Sequence, residues 1–105
     1  MVDHKKVTLD MLEEKCLQAL EDEGRLNDIT RVIVDNIIAL QETAIECKDA
    51  IDKYGVMIET LSSTGNPILK RNEAVQMQDK AVTSMAKLLA QIGLDNLVEE
   101  FESEI

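Results

Sequence analysis

A chain of 105 residues suits one domain with a modest core, and no apolar run approaches the roughly 18 residues of a membrane span. Aromatics make up only 2% of residues, Tyr54 and Phe101, against 45% hydrophobic residues. The core must therefore be built from Leu, Ile, Val, Ala and Met, which suits helix packing and excludes a sheet protein with alternating strands. The net charge of −10 excludes bulk attraction to nucleic acid or anionic membrane, so any DNA contact needs a local basic patch or several chains pooling one.

Residues 1–7 lack periodicity and read as a flexible N-terminal arm, with His4 an exposed tail residue and no signal peptide at the start. The expected compartment is the cytoplasm. Thr8 is placed to cap a first helix over about 9–22, with Leu9, Leu12, Cys16, Ala19 and Leu20 on its apolar face. Gly24 offers a stop. Cys16 and Cys47 lack Cys-x-x-Cys spacing and neighbouring histidines, so they read as buried free thiols and not as zinc ligands.

The longest periodic stretch follows, over about 27–54. Leu26, Ile33, Leu40, Cys47 and Tyr54 recur every seven residues, and Thr30, Ile37, Ala44 and Ile51 keep the same step beside them. Ile29 and Val32 widen the stripe at its start. Asn27 or Asp28 can cap the helix. At 1.5 Å per residue it spans about 43 Å, longer than the roughly 26 Å implied by the radius of gyration of a 100-residue globule. The protein should be elongated, with the stripe covered by its own helices or by copies of itself. Asn36 reads as solvent-facing, the alternative being a register-setting polar group between helices.

Gly55 ends this helix. Residues 56–72 are turn-rich through Ser62-Ser63-Thr64-Gly65-Asn66-Pro67, and predict a short extended excursion or loose hairpin without a real sheet. Asn72 caps a helix over about 73–92. Val75, Val82 and Leu89 repeat by seven, as do Gln78, Met85 and Ile92, with Ala81 and Leu88 beside them. That face lies antiparallel along the long helix, giving an all-α, elongated helical hairpin as the body of a single domain, 1–105. Lys80 and Lys87 share a solvated face. Gly93 and Leu94 form the stop, and Asp95 caps a last short acidic helix, about 96–103, within an acidic segment 95–105.

Enzymatic constellations are missing from the sequence. There is no phosphate-binding Gly-rich loop, no metal-binding histidine pair and no nucleophile with a base, so neither catalysis nor a cofactor is implied. Charge is uneven: residues 8–54 carry twelve acids and five bases, residues 63–93 two acids and four bases, and residues 95–105 five acids and no base. Lys70-Arg71, beside the helix start at Asn72, is the first candidate for phosphate contact, set against the reading of two solvated loop bases. Lys5-Lys6 is the second, on the mobile arm. The acidic end serves either solubility or docking. In the docking reading Leu97, Val98, Phe101 and Ile105 are apolar anchors, and Glu99 and Glu100 meet a basic partner surface.

The order of these elements resembles the short family of small terminase subunits of tailed double-stranded-DNA phages. The residues that carry the resemblance are Tyr54-Gly55, Gly65-Asn66-Pro67, Asn72-Glu73-Ala74-Val75, Asp79-Lys80 and Leu88-Leu89-Ala90-Gln91-Ile92-Gly93-Leu94. In that family the second long helix opens on an Asn-Pro-Ala-type motif and closes on Leu-Gly-Leu. Here Glu73 stands where proline is usual, and Asp95-Asn96-Leu97 where Thr-Pro-Ser often follows. The resemblance implies a non-enzymatic DNA-packaging component. It would form a homo-oligomeric ring, engage double-stranded viral DNA and regulate the large terminase subunit, which holds the ATPase and nuclease. Val34, Ile38 and Met77 would then face neighbours, and the acidic tail would be a candidate contact for the large subunit. The rival reading is an acidic helical adaptor acting only through protein contacts, favoured by the net charge of −10.

Overall fold

The first helix starts earlier than its apolar periodicity predicts, because the cap is a local polar contact that periodicity does not register. In the computed structural model, which describes residues 3–105, α1 spans His4–Asp22. Its N-cap is Asp3, not Thr8: the Asp3 carboxylate accepts from the Lys6 N–H at 3.2 Å. Of the expected arm, His4–Val7 are therefore the first helical turn, while Met1 and Val2 lie outside the described residues. Leu9, Leu12, Cys16 and Leu20 are buried, as their spacing predicts.

The long helix is α2, Asp28–Tyr54, and Asn27 caps it. The Asn27 side chain accepts from the N–H groups of Ile29 and Thr30, and the Thr30 hydroxyl accepts from the Asn27 N–H at 3.0 Å, a reciprocal capping box. α3 spans Glu73–Gln91, and Asn72 Oδ1 accepts from the Ala74 N–H at 3.1 Å. α2 packs against both α1 and α3, so it is the element the others share. The expected all-α antiparallel hairpin is the body of the molecule. Its Cα radius of gyration is 17.0 Å and its extents are 60 × 33 × 21 Å, against about 13 Å for a compact chain of this length.

Having neighbours on two sides decides which α2 residues are covered. Val34, Ile37, Gln41, Ala44 and Cys47 are buried. Leu26, Ile33 and Leu40 form a half-buried flank packed against the core, and Tyr54 is exposed. Ile29 and Val32 do not widen the buried stripe: Ile29 is 74% exposed, and Val32 also faces solvent. Asn36 is solvent-facing, which leaves the register-setting alternative without support.

The principal core joins Leu12, Cys16 and Leu20 of α1, Val34 and Ile37 of α2, Met85 and Leu89 of α3, and Ile92, Leu94 and Phe101 beyond. It sits toward one end of the hairpin. Toward the other end the buried residues are small: Ala44, Cys47, Ala74 and Ala81.

Two findings refine the connections. Residues 57–71 take the second of the two expected forms, a hairpin, and it is a regular hydrogen-bonded ribbon where no sheet was expected. β1 (Met57–Leu61) pairs antiparallel with β2 (Pro67–Arg71), in the register Met57↔Arg71 through Leu61↔Pro67. The turn Ser62–Asn66 closes it: the Ser62 N–H donates to the Asn66 carbonyl at 2.8 Å, and Gly65 takes φ +84°. After Gly93 the chain makes a 3₁₀ turn, Asp95–Leu97, before α4 (Val98–Ser103), and no side-chain cap bond is formed there, by Asp95 or any other residue.

Candidate nucleic-acid and partner interface

Both ends of the hairpin are fixed by backbone geometry that the sequence encodes locally. At the end of α3 the Leu94 N–H donates to the Leu89 carbonyl and the Gly93 N–H to the Ala90 carbonyl, with Gly93 at φ +72°: a Schellman stop. The α1 terminus repeats it, through Arg25 to Leu20 and Gly24 to Glu21. Arg25 then ties the two stops together. Its Nη1 donates to the Ile92 carbonyl, and its Nε to Glu23 Oε2 at 2.7 Å. At the opposite end Asn72 Nδ2 donates to the Gly55 carbonyl at 2.8 Å, clamping the base of the ribbon to the end of α2.

The four basic candidates do not converge. Lys5 and Lys6 lie in the first turn of α1, where Lys5 Nζ meets Glu46 Oε1 at 3.1 Å and Glu42 Oε1 at 3.9 Å. The hydrogen bond to Glu46 leads the causes that hold the Lys5 pKa above its usual value, so the ammonium stays charged while carboxylates offset it. Lys5 is thus a brace between α1 and α2, not the tip of a mobile arm. Lys70 and Arg71 stand at the end of β2, on the far side of Tyr54. Successive strand residues point to opposite faces, so the two do not form one patch. Lys70 is exposed and pairs with Glu73 at 3.6 Å. Arg71 shares a shallow groove with Val75, Gln78, Asp79 and Val82, and makes no ion pair among the described residues.

The C-terminal candidates are placed inward. Phe101, expected to anchor a partner, is fully buried in the chain's own core. Leu97 and Val98 are half-buried against that core. The physical reason is that α1, α2 and α3 leave an apolar groove which a six-residue amphipathic helix fills, removing a phenyl ring from water. Gln41 supplies the polar end of this lock: it is fully buried on α2, and its Nε2 donates to the Phe101 carbonyl at 2.8 Å. Glu100 pairs with Lys15 of α1, so of the two acids only Glu99 is without a partner among the described residues and exposed. Of the residues expected to face neighbours, Val34 is fully buried in the core and Ile38 is packed against it, whereas Met77 is exposed.

Sequence reasoning missed Gln41 and Arg25, and anticipated the ribbon only as a loose hairpin. Gln41 falls within the apolar stripe, next to Leu40, and that position was its available signal. The ribbon carries five exposed apolar residues at or beside its strands: Val56, Met57, Leu61, Ile68 and Leu69. No helix among the described residues is long and apolar enough to cross a membrane. A family model described as phage terminase, small subunit, matches residues 14–97. No curated protein and no solved structure matches the chain.

Proposed function

From the premise that this chain belongs to the family of phage terminase small subunits, which gives it a part in phage DNA packaging, we propose that it acts there as a non-catalytic assembly. In this reading copies of the chain form a homo-oligomeric ring, the ring engages double-stranded viral DNA, and it regulates the large terminase subunit. The family match over residues 14–97, most of the chain, carries the reading. The elongated hairpin with unburied apolar groups at one end supports it.

DNA contact falls to basic groups without a nearby acid. Lys80 and Lys87 on α3, which make no ion pair among the described residues, fit that description better than Lys5, whose charge is offset by Glu42 and Glu46. Each chain alone is far too acidic to hold a polyanion, so binding requires several copies presenting the same bases together. Of the two acids expected to dock, Glu99 is the one left free to meet the large subunit. The test is retention of double-stranded DNA across a salt series. Affinity should fall steeply with salt, and K80A/K87A should reduce the slope of that fall. Binding that is absent at low salt would overturn the DNA part. The rival, a protein-only acidic adaptor, draws support from the net charge of −10 and predicts that result.

A further inference from the structure

The ribbon is the least accounted-for part of the molecule. Its strands contact each other far more than any helix. A two-stranded hairpin is marginal in water on its own and needs a third strand or a packed face. Leu61 is 68% exposed and Leu69 70%.

The register shows what the ribbon offers. Residues opposite each other in an antiparallel pair alternate between exchanging both hydrogen bonds and exchanging none. The bonds Asn72 N–H to Val56 O and Ser62 N–H to Asn66 O fix the phase. The intervening bonded pairs are Ile58–Lys70 and Thr60–Ile68, so Met57, Glu59 and Leu61 on β1, and Leu69 and Arg71 on β2, turn their N–H groups outward. Pro67 has none to turn. The same alternation puts these side chains on one face of the ribbon. That face carries three large apolar groups, one acid and one base.

We propose that the occupant of these edges is a second copy of this chain: the free edge of β1 pairs antiparallel with the free edge of β2 of the next copy. The inference rests on the assembly reading above and specifies its contact. The two edges are each five residues long, and joining them continues the antiparallel alternation already present. The contact is head-to-tail, so repeating it through a rotation that closes gives a ring with no edge left open. Charge supports the match. Glu59 lies on one edge and Arg71 on the other, and neither makes an ion pair within the chain among the described residues. Cross-strand opposite charges stabilise such a pairing and like charges oppose it. Nucleic acid is a poorer occupant, since this face presents Met57, Leu61 and Leu69 with a single base and an acid beside it.

Sedimentation over a concentration series tests this, with far-UV circular dichroism confirming that each variant keeps its helices. The N–H groups of residues 59 and 69 take no part in the chain's own ladder, so proline there breaks no hydrogen bond of the ribbon itself while removing the outward donor. Compared with E59A and L69A, the variants E59P and L69P should raise the concentration for half-assembly about fivefold or more, as the loss of one hydrogen bond per contact implies. E59K and R71E should each weaken assembly, and the double variant E59K/R71E should recover it. Proline and alanine variants that assemble alike, or a double swap that recovers nothing, would overturn the ribbon contact and leave the assembly reading standing. A parent protein that is monomeric throughout would defeat both. Ribbon variants that assemble normally but lose DNA retention would assign the ribbon to DNA and overturn this proposal.

Discussion

Replacing Phe101 with alanine tests whether the C-terminal helix belongs to the body. The ring is fully buried among core residues from all three longer helices. A buried Phe→Ala change costs about 3–5 kcal/mol, combining lost transfer free energy with the cavity left behind. The other attachments are weaker. The Lys15–Glu100 pair is partly exposed and adds at most about 1 kcal/mol. Losing the buried Gln41 bond to the Phe101 carbonyl costs about 0.5–1.5 kcal/mol, since that carbonyl still accepts from the Glu104 N–H. Q41A and F101A act on one docked helix, so their costs should couple by about 0.5–3 kcal/mol when combined. Urea unfolding at one fixed protein concentration is the assay, since any assembly makes apparent stability depend on concentration. A loss below about 1 kcal/mol for F101A, or strict additivity with Q41A, would refute the lock and return α4 to the role of a free tail.

Three further changes follow from single residues. G93A should cost about 2 kcal/mol or more, because Gly93 sits at φ +72° and a Cβ there would lie 2.8 Å from Arg25 Nη1; a thermal melt reads it, and R25A/G93A should recover the steric part. N72A removes both the α3 cap and the bond to the Gly55 carbonyl, so about 1–2 kcal/mol should be lost, with protection of ribbon amides falling further than that of α1 amides. Burial pushes the Cys16 thiol up from 9.0 to about 11, so it stays protonated in the fold where the unfolded chain ionises. Its stabilisation is therefore whole below pH 9 and declines as pH rises toward 11, by about 2–3 kcal/mol, and C16A should show a shallower decline over that interval in denaturant titrations.

Legibility in the sequence followed the range of the interactions. The three main helices were readable because seven-residue steps such as Val75, Val82 and Leu89 report burial directly. Stops at Gly24 and Gly93 were readable because φ above zero selects glycine. The start of α1 was not, since Asp3 caps by a local side-chain bond in a stretch without apolar rhythm. The hairpin was legible at its turn, but its regular pairing was not, because β2 is exposed along its length and β1 alternates only between exposed and half-buried. Phe101 was misassigned for a different reason. The same Leu97, Val98 and Phe101 face that suits a foreign groove suits the chain's own, and only the arrangement of the other helices decides between them.

The uneven distribution of bulk along the hairpin has a mechanical consequence. Where Phe101, Leu12, Leu20, Met85 and Leu89 crowd together, the helices are held by large interlocking groups. Toward Ala44, Cys47, Ala74 and Ala81 the buried groups are small, and the larger apolar side chains beside them, Ile45, Ile51, Val75 and Val82, are only half-buried. The rod is therefore a stiff handle with a compliant tip, and local opening should begin at the tip. A ribbon carried on that softer half should therefore be freer to change its angle than the handle is to change its shape.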